Sequence, residues 1–108
     1  MARVAALVGD LMFGSRALEL LRAGGHEAEL VREPGGAAEV VVVDLTGPEV
    51  DVEGVRRAAG AAKLLGVFAH VEPEVRERAL AAGFDQVVPR SRFVREGAEL
   101  VARLAAGG

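Results

Sequence analysis

The sequence predicts an α/β domain of three layers, a parallel five-stranded sheet with helices packed on both faces. Three observations carry this. Short, continuously apolar, β-branched runs recur, as in Val4-Ala-Ala-Leu-Val8 and Val40-Val-Val-Val43, and such runs suit strands covered on both sides. Between them, apolar residues recur at the spacing of a helix face. Strand and helix patterns alternate, which is the order that gives parallel strands joined by crossovers. At 108 residues the chain has the size of one hydrophobic core, so a single domain over residues 1–108 is expected.

The elements follow in order. The first strand lies within Arg3 to Gly9. Phe13, Ala17, Leu20 and Leu21 then form a helical stripe, with Ser15 as a candidate cap and Gly24-Gly25 as the stop. Glu27-Ala-Glu-Leu-Val31 alternates polar and apolar residues, as an edge strand does, and Glu39 to Leu45 contains the continuously apolar run Val40-Val-Val-Val43 of a covered strand. After Pro48 a weaker stripe of Val52, Val55 and Ala59 is interrupted by Gly54 and Gly60, each costing about 1 kcal/mol in a helix interior. Lys63 to Ala69 is the fourth strand. Pro73, at a first helical position, opens a helix with Val75, Ala79 and Ala82 on one face and Gly83 at its end, so that Arg76, Glu77 and Arg78 face water. Gln86-Val-Val88 is the last strand. Val94, Gly97, Leu100, Val101 and Leu104 line the last helix, with Arg95, Glu99 and Arg103 on its outer side.

One crossover is too short for its task. Only Arg32-Glu-Pro-Gly-Gly-Ala-Ala38 separates Val31 from Glu39, whereas parallel strands need about a dozen residues or more to return. Seven extended residues span about 24 Å at most. An extended link or a single turn is therefore expected, with the second helix of the series shortened or absent. One sheet face near strands one to three is left thinly covered, which is a natural seat for a partner or a second copy.

Composition excludes several functions. A net charge of −3 with 27% charged residues is ordinary and gives no electrostatic case for nucleic acid or an anionic membrane. The absence of cysteine removes disulfides, thiolate metal sites and a cysteine nucleophile together. No apolar run approaches the roughly 18 residues a membrane span needs, and the apolar stretch near Met1 is too short for a leader. The expectation is a cytoplasmic protein with no membrane contact.

Ligands of open parallel sheets gather beyond the carboxyl ends of the strands. Those ends read Gly9-Asp10, Asp44-Leu-Thr46, Phe68-Ala-His70 and Pro89-Arg-Ser-Arg92. Asp10, Asp44, His70 and Arg90 are thus expected to converge, with Thr46 and His70 as turn residues at the site. Ser15 and Arg16 with Arg90, Ser91 and Arg92 make a candidate anion pocket, because a helix start offers free N–H groups; the competing reading has these arginines neutralise Asp10 and Asp44. His70 is either a proton acceptor or metal ligand, or a hydrogen-bonded turn residue, and His26 is expected in solvent. Met12 and Phe13 are either an exposed docking knob or helix packing. Gly9 and Gly14 make no dinucleotide fingerprint and no phosphate-loop lysine is present. No Ser-His-Asp, paired-glutamate or metal-cluster spacing occurs, so catalysis is not expected.

Over nearly its whole length the chain resembles response-regulator receiver (CheY-like) domains, which are flavodoxin-like with strand order 2-1-3-4-5. Ala81-Ala-Gly-Phe-Asp-Gln-Val-Val-Pro-Arg-Ser-Arg-Phe93 is similar to the family's stretch from Ala-Gly-Ala to Lys-Pro, and Val41-Val-Val-Asp-Leu45 matches the strand with the phosphoacceptor aspartate, which places Asp44 there. The departures are specific. The acidic pair that holds Mg²⁺ after the family's first strand is reduced to Gly9-Asp10. Asp10 and Asp44 are left as the metal candidates, and Mg²⁺ binding is expected to be weakened because that ion demands a full octahedron of oxygens. The hydroxyl residue at the end of strand four falls on Phe68 or Ala69. The family's lysine falls on Arg90, whose planar fork does not replace an ammonium. The resemblance implies a pseudo-receiver, a protein-interaction or regulatory module without phosphotransfer, in which an Asp44–Arg90 ion pair imitates a switched state. Its partner is a protein or a second copy, met through the last two helices or the thin crossover. The alternatives are a genuine receiver phosphorylated on Asp44 and a small domain that binds an anionic ligand.

Overall fold

Four consecutive valines, Val40 to Val43, are all fully shielded from solvent, and their strand lies in the middle of the sheet. A computed structural model describes residues 1–46, 50–69 and 72–107. The strands are β1 (Arg3–Leu7), β2 (Glu27–Leu30), β3 (Val40–Asp44), β4 (Lys63–Phe68) and β5 (Gln86–Pro89). They form one sheet in the order β2-β1-β3-β4-β5, and every neighbouring pair is parallel. The fold class and strand order expected from the sequence are the ones observed.

Period two along the strands divides the core into two layers. Val4, Ala6, Val40, Val42, Leu65 and Val67 point to the face covered by α1 (Leu11–Ala23) and α4 (Arg90–Ala105), where they meet Phe13, Ala17, Leu21, Phe93, Leu100 and Val101. Their neighbours Ala5, Val41, Val43, Leu64 and Val87 point to the opposite face, covered by α2 (Val52–Ala58) and α3 (Pro73–Ala81) through Val52, Val55 and Ala79. Each shielded aliphatic side chain contributes about 1.5–3 kcal/mol of transfer free energy. Central strands that are apolar on both faces are therefore stable only with both faces covered.

The short crossover contains no helix, so the second helix of the series is absent. Its backbone stays close to β1: Val31 N–H donates to Ala6 O and Glu39 N–H to Arg3 O. Gly36, at φ +89°, makes a turn that only glycine adopts freely. Val31 and Ala38 pack on the sheet in place of a helix.

Three local expectations are corrected. α1 begins at Leu11, and its cap is Asp10, not Ser15; Asp10 Oδ1 accepts N–H bonds from Met12 (3.0 Å) and Phe13 (3.2 Å). An aspartate before an apolar stripe satisfies the same cap preference one turn earlier. Gly60, at φ +61°, lies beyond the end of α2 and does not interrupt it. His26 is buried, with Ala2 N–H donating to its Nδ1 (3.0 Å) and its Nε2 2.9 Å from Ala98 O. The acceptor role of Nδ1 leaves the proton on Nε2, so the ring ties the chain start to the middle of α4. Among the described residues, no helix is long and apolar enough to cross a membrane.

Truncating Leu100, which is 1% exposed, to Ala should cost about 2–5 kcal/mol in chemical denaturation, while Met12→Ser on the surface should stay within about 0.5 kcal/mol of wild type. The Asp10 cap also predicts a pH dependence. The Phe13 N–H, and after it the Arg90 guanidinium and the Met12 N–H, hold the Asp10 carboxyl below its usual value of 3.8 against a smaller opposing effect of desolvation. A depressed folded pKa stabilises above the unfolded value and loses that contribution as pH falls through the folded one. The unfolding midpoint of wild type should therefore drop more steeply below about pH 4 than that of Asp10→Asn; parallel acid limbs would contradict the cap.

Candidate functional site

Parallel pairing aligns the carboxyl ends of β1 and β3, with Leu7 opposite Val43. Asp44, the last residue of β3, and Asp10, three residues past β1, are thereby brought to one edge. Like charges on neighbouring strand ends repel, and α4 supplies the counter-charge. It starts at Arg90, directly after β5 and a full turn before the stripe that begins at Val94. Pro89 is its first flanking residue, extended at φ −70° and ψ 154°. Arg90 is therefore fixed by the strand-to-helix junction itself.

The guanidinium bridges both acids with separate nitrogens. Nη2 donates to Asp44 Oδ2 at 2.8 Å and Nη1 to Asp10 Oδ2 at 3.3 Å. The Asp44 side chain is only 5% exposed, and a buried carboxylate needs such a partner. Its other oxygen, Oδ1, accepts the N–H of Thr46 (3.0 Å), and Thr46 Oγ1 in turn accepts the N–H of Ala69 (2.8 Å). Beneath the guanidinium lies Phe13, with the Arg90 Cζ 4.2 Å from the ring centroid, a favourable placement of a cation over a π face. Phe13 packs in turn on Phe93 of α4. The Arg90 Nε is buried with no hydrogen-bond partner among the described residues.

The structure thus brings together Asp10, Asp44, Thr46 and Arg90. His70 lies outside the described residues, as does Pro48. The proposed anion-pocket residues do not share one cavity. Ser15 and Arg16 lie on the exposed side of α1, Ser91 is exposed, and Arg92 is paired with Glu96 at 3.5 Å. Phe13 is core and not an exposed knob, whereas Leu11 and Met12 stand out into solvent. Among the described residues, no group of three His, Asp or Glu side chains is placed to hold a metal ion.

Beside the ion pair opens a groove of about 790 Å³, which sequence reasoning placed only loosely. Leu7 and Val43 line it from the strand ends and Val31 and Val50 from the connections, with Arg32 as a further lining residue and the Asp10–Arg90–Asp44 cluster at its polar end. It adjoins the crossover whose helix is missing. Arg32 was not singled out from the sequence; the brevity of its own link was the available signal.

No protein-family model and no curated protein sequence matches the chain. Solved structures do. A response regulator from Thermotoga maritima superposes with a TM-score of 0.82 at 14% identity, over 98% of each chain. A response regulator receiver protein from Burkholderia phymatum gives 0.73 at 24% identity, over 94% of this chain and 96% of that one. An orphan response regulator of H. pylori gives 0.72 at 18% identity, over 97% and 94%. At such identities the likeness concerns architecture. Taken with the strand order 2-1-3-4-5, it establishes that this chain has the fold of response-regulator receiver domains.

Proposed function

We propose that this domain is a pseudo-receiver, a binding or regulatory module whose switch site is held closed by its own arginine and performs no phosphotransfer. The observation that supports it most is the 2.8 Å bond from Arg90 to Asp44, doubled by the 3.3 Å bond to Asp10. One oxygen of each carboxylate is engaged by backbone N–H groups and the other by Arg90. A Mg²⁺ ion, which needs near-octahedral oxygen ligation at about 2.1 Å, fits this set poorly, since it would have to displace the guanidinium from both acids. Phe68 and Ala69 at the end of β4 carry no side-chain hydroxyl, and Thr46, the hydroxyl at this edge, is bonded to Ala69 N–H. Binding rather than turnover is the role assigned, with a protein or a second copy as partner.

The competing reading, a receiver phosphorylated on Asp44, is separated by a direct measurement. Incubation with acetyl phosphate and Mg²⁺ should leave the intact mass of the wild-type chain unchanged, and a phosphoryl adduct lost in Asp44→Asn would overturn the proposal. The clamp also has an energetic signature. Arg90→Ala strands a buried carboxylate, so the variant should lose about 3 kcal/mol of stability. Most of that loss should disappear in the Asp44→Asn background, read as a double-mutant cycle in denaturant. Additive effects in the cycle would show that the pair holds nothing.

A further inference from the structure

We propose that Phe13 is the positioning residue of the closed site: its ring holds the Arg90 guanidinium across both acids and makes arginine, rather than lysine, the residue required at position 90. This rests on the reading of the site as closed by its own arginine and deepens it, because it names what keeps the second arm of the clamp in place.

The two arms are unequal. The arm to Asp44 is 2.8 Å long and its carboxylate is buried, whereas the arm to Asp10 is 3.3 Å long and ends on a side chain that is 44% exposed. An exposed ion pair contributes little by itself, so what else touches Arg90 decides whether it also reaches Asp10. The ring of Phe13 is placed to do this. The Arg90 Cζ lies over it, 4.2 Å from the centroid, and a cation in that position is attracted by the ring quadrupole.

Phe13 is itself held. It is buried, its N–H donates to Asp10 Oδ1, and its ring is tilted by 59° against Phe93 with centroids 5.9 Å apart. A closed circuit results. Asp10 takes the Phe13 N–H with one oxygen and the Arg90 Nη1 with the other, and Arg90 lies over the ring of the same Phe13. The ring thus belongs to the first turn of α1, which Asp10 caps, and meets there a guanidinium that comes from α4. A guanidinium offers separate nitrogens for the two acids and a planar centre for the ring; an ammonium is a compact charge without that plane.

A cycle of Phe13→Leu and Arg90→Lys tests this with two readouts, folding stability in denaturant and the titration midpoint of the Asp10 carboxyl followed by NMR. The midpoint reports the second arm, because Asp10 is held below its ordinary value first by the Phe13 N–H and also by Arg90, and of these the Arg90 contact alone depends on the ring. Phe13→Leu should raise the midpoint, and the shift should shrink when Arg90→Lys is already in place. Arg90→Lys should lower the folding equilibrium constant about two- to fivefold more in the wild type than in Phe13→Leu, the size of one cation–π contact at an exposed site. Phe13→Tyr, which keeps the π face, should leave both readouts at their wild-type values. A purely structural Phe13 would weaken the fold by the same factor in either background. That additivity, an Asp10 midpoint unmoved by Phe13→Leu, or a Phe13→Tyr that behaves as Phe13→Leu does each overturn the proposal. The pseudo-receiver reading falls separately, on a phosphoryl adduct at Asp44, which neither readout detects.

Discussion

A carboxylate that is 5% exposed at the end of a fully apolar strand is the constraint around which this molecule is arranged. β3 contributes four valines to the core and then ends in Asp44, so the strand that holds the sheet together also delivers a charge to its edge. Desolvation of an unpaired carboxylate costs several kcal/mol, and the fold meets that cost with one side chain, Arg90. The same guanidinium reaches Asp10, the cap of α1, and lies over Phe13 in the core. The start of α1, the end of β3 and the start of α4 are therefore coupled through a single residue. Thr46 extends the coupling to the end of β4 through Ala69.

The architecture was legible because it rests on period alone. Continuous apolar runs and helical stripes have no second interpretation once they alternate at this spacing, and the short link at Arg32 to Ala38 counts its own missing helix. The meeting of Asp10, Asp44 and Arg90 followed from parallel topology, which sends every carboxyl end to one edge. Details set by competition between local groups were harder to read. Asp10 could serve the site or cap the helix, and it does both by giving one oxygen to each. The start of α4 was read too late because Arg90, Ser91 and Arg92 are polar; the strand-to-helix junction at Pro89 fixes that turn, not an apolar stripe. His26 follows two glycines and reads as a solvent residue. Its burial depends on Ala98, 72 residues away, a contact that no local pattern contains.

The missing crossover helix has consequences on one side of the sheet only. α1 and α4 pack against each other and over β1, β3 and β4, with Gly24 so close to Ala98 that a side-chain carbon there would meet the Ala98 methyl. The opposite face has two helices to cover the same sheet, and over β1 and β2 its cover is the link itself. That is why the cavity of about 790 Å³ lies on this side, and why it adjoins the ion pair rather than some remote surface. The short connection and the Asp10–Arg90–Asp44 cluster thus lie at a common edge.

The choice of arginine over lysine is what makes the closed arrangement self-sufficient. An ammonium is a compact charge on a flexible stem, able to leave one carboxylate for another acceptor without strain. A guanidinium spanning two carboxylates with two nitrogens, its central carbon over an aromatic ring, has to break both bonds and leave the ring to move. A new ligand on Asp44 meets one oxygen held by Arg90 and the other by the Thr46 N–H, and releasing Arg90 also uncovers Asp10. Opening this edge is therefore a collective event that involves Arg90, both acids and the Phe13 ring together.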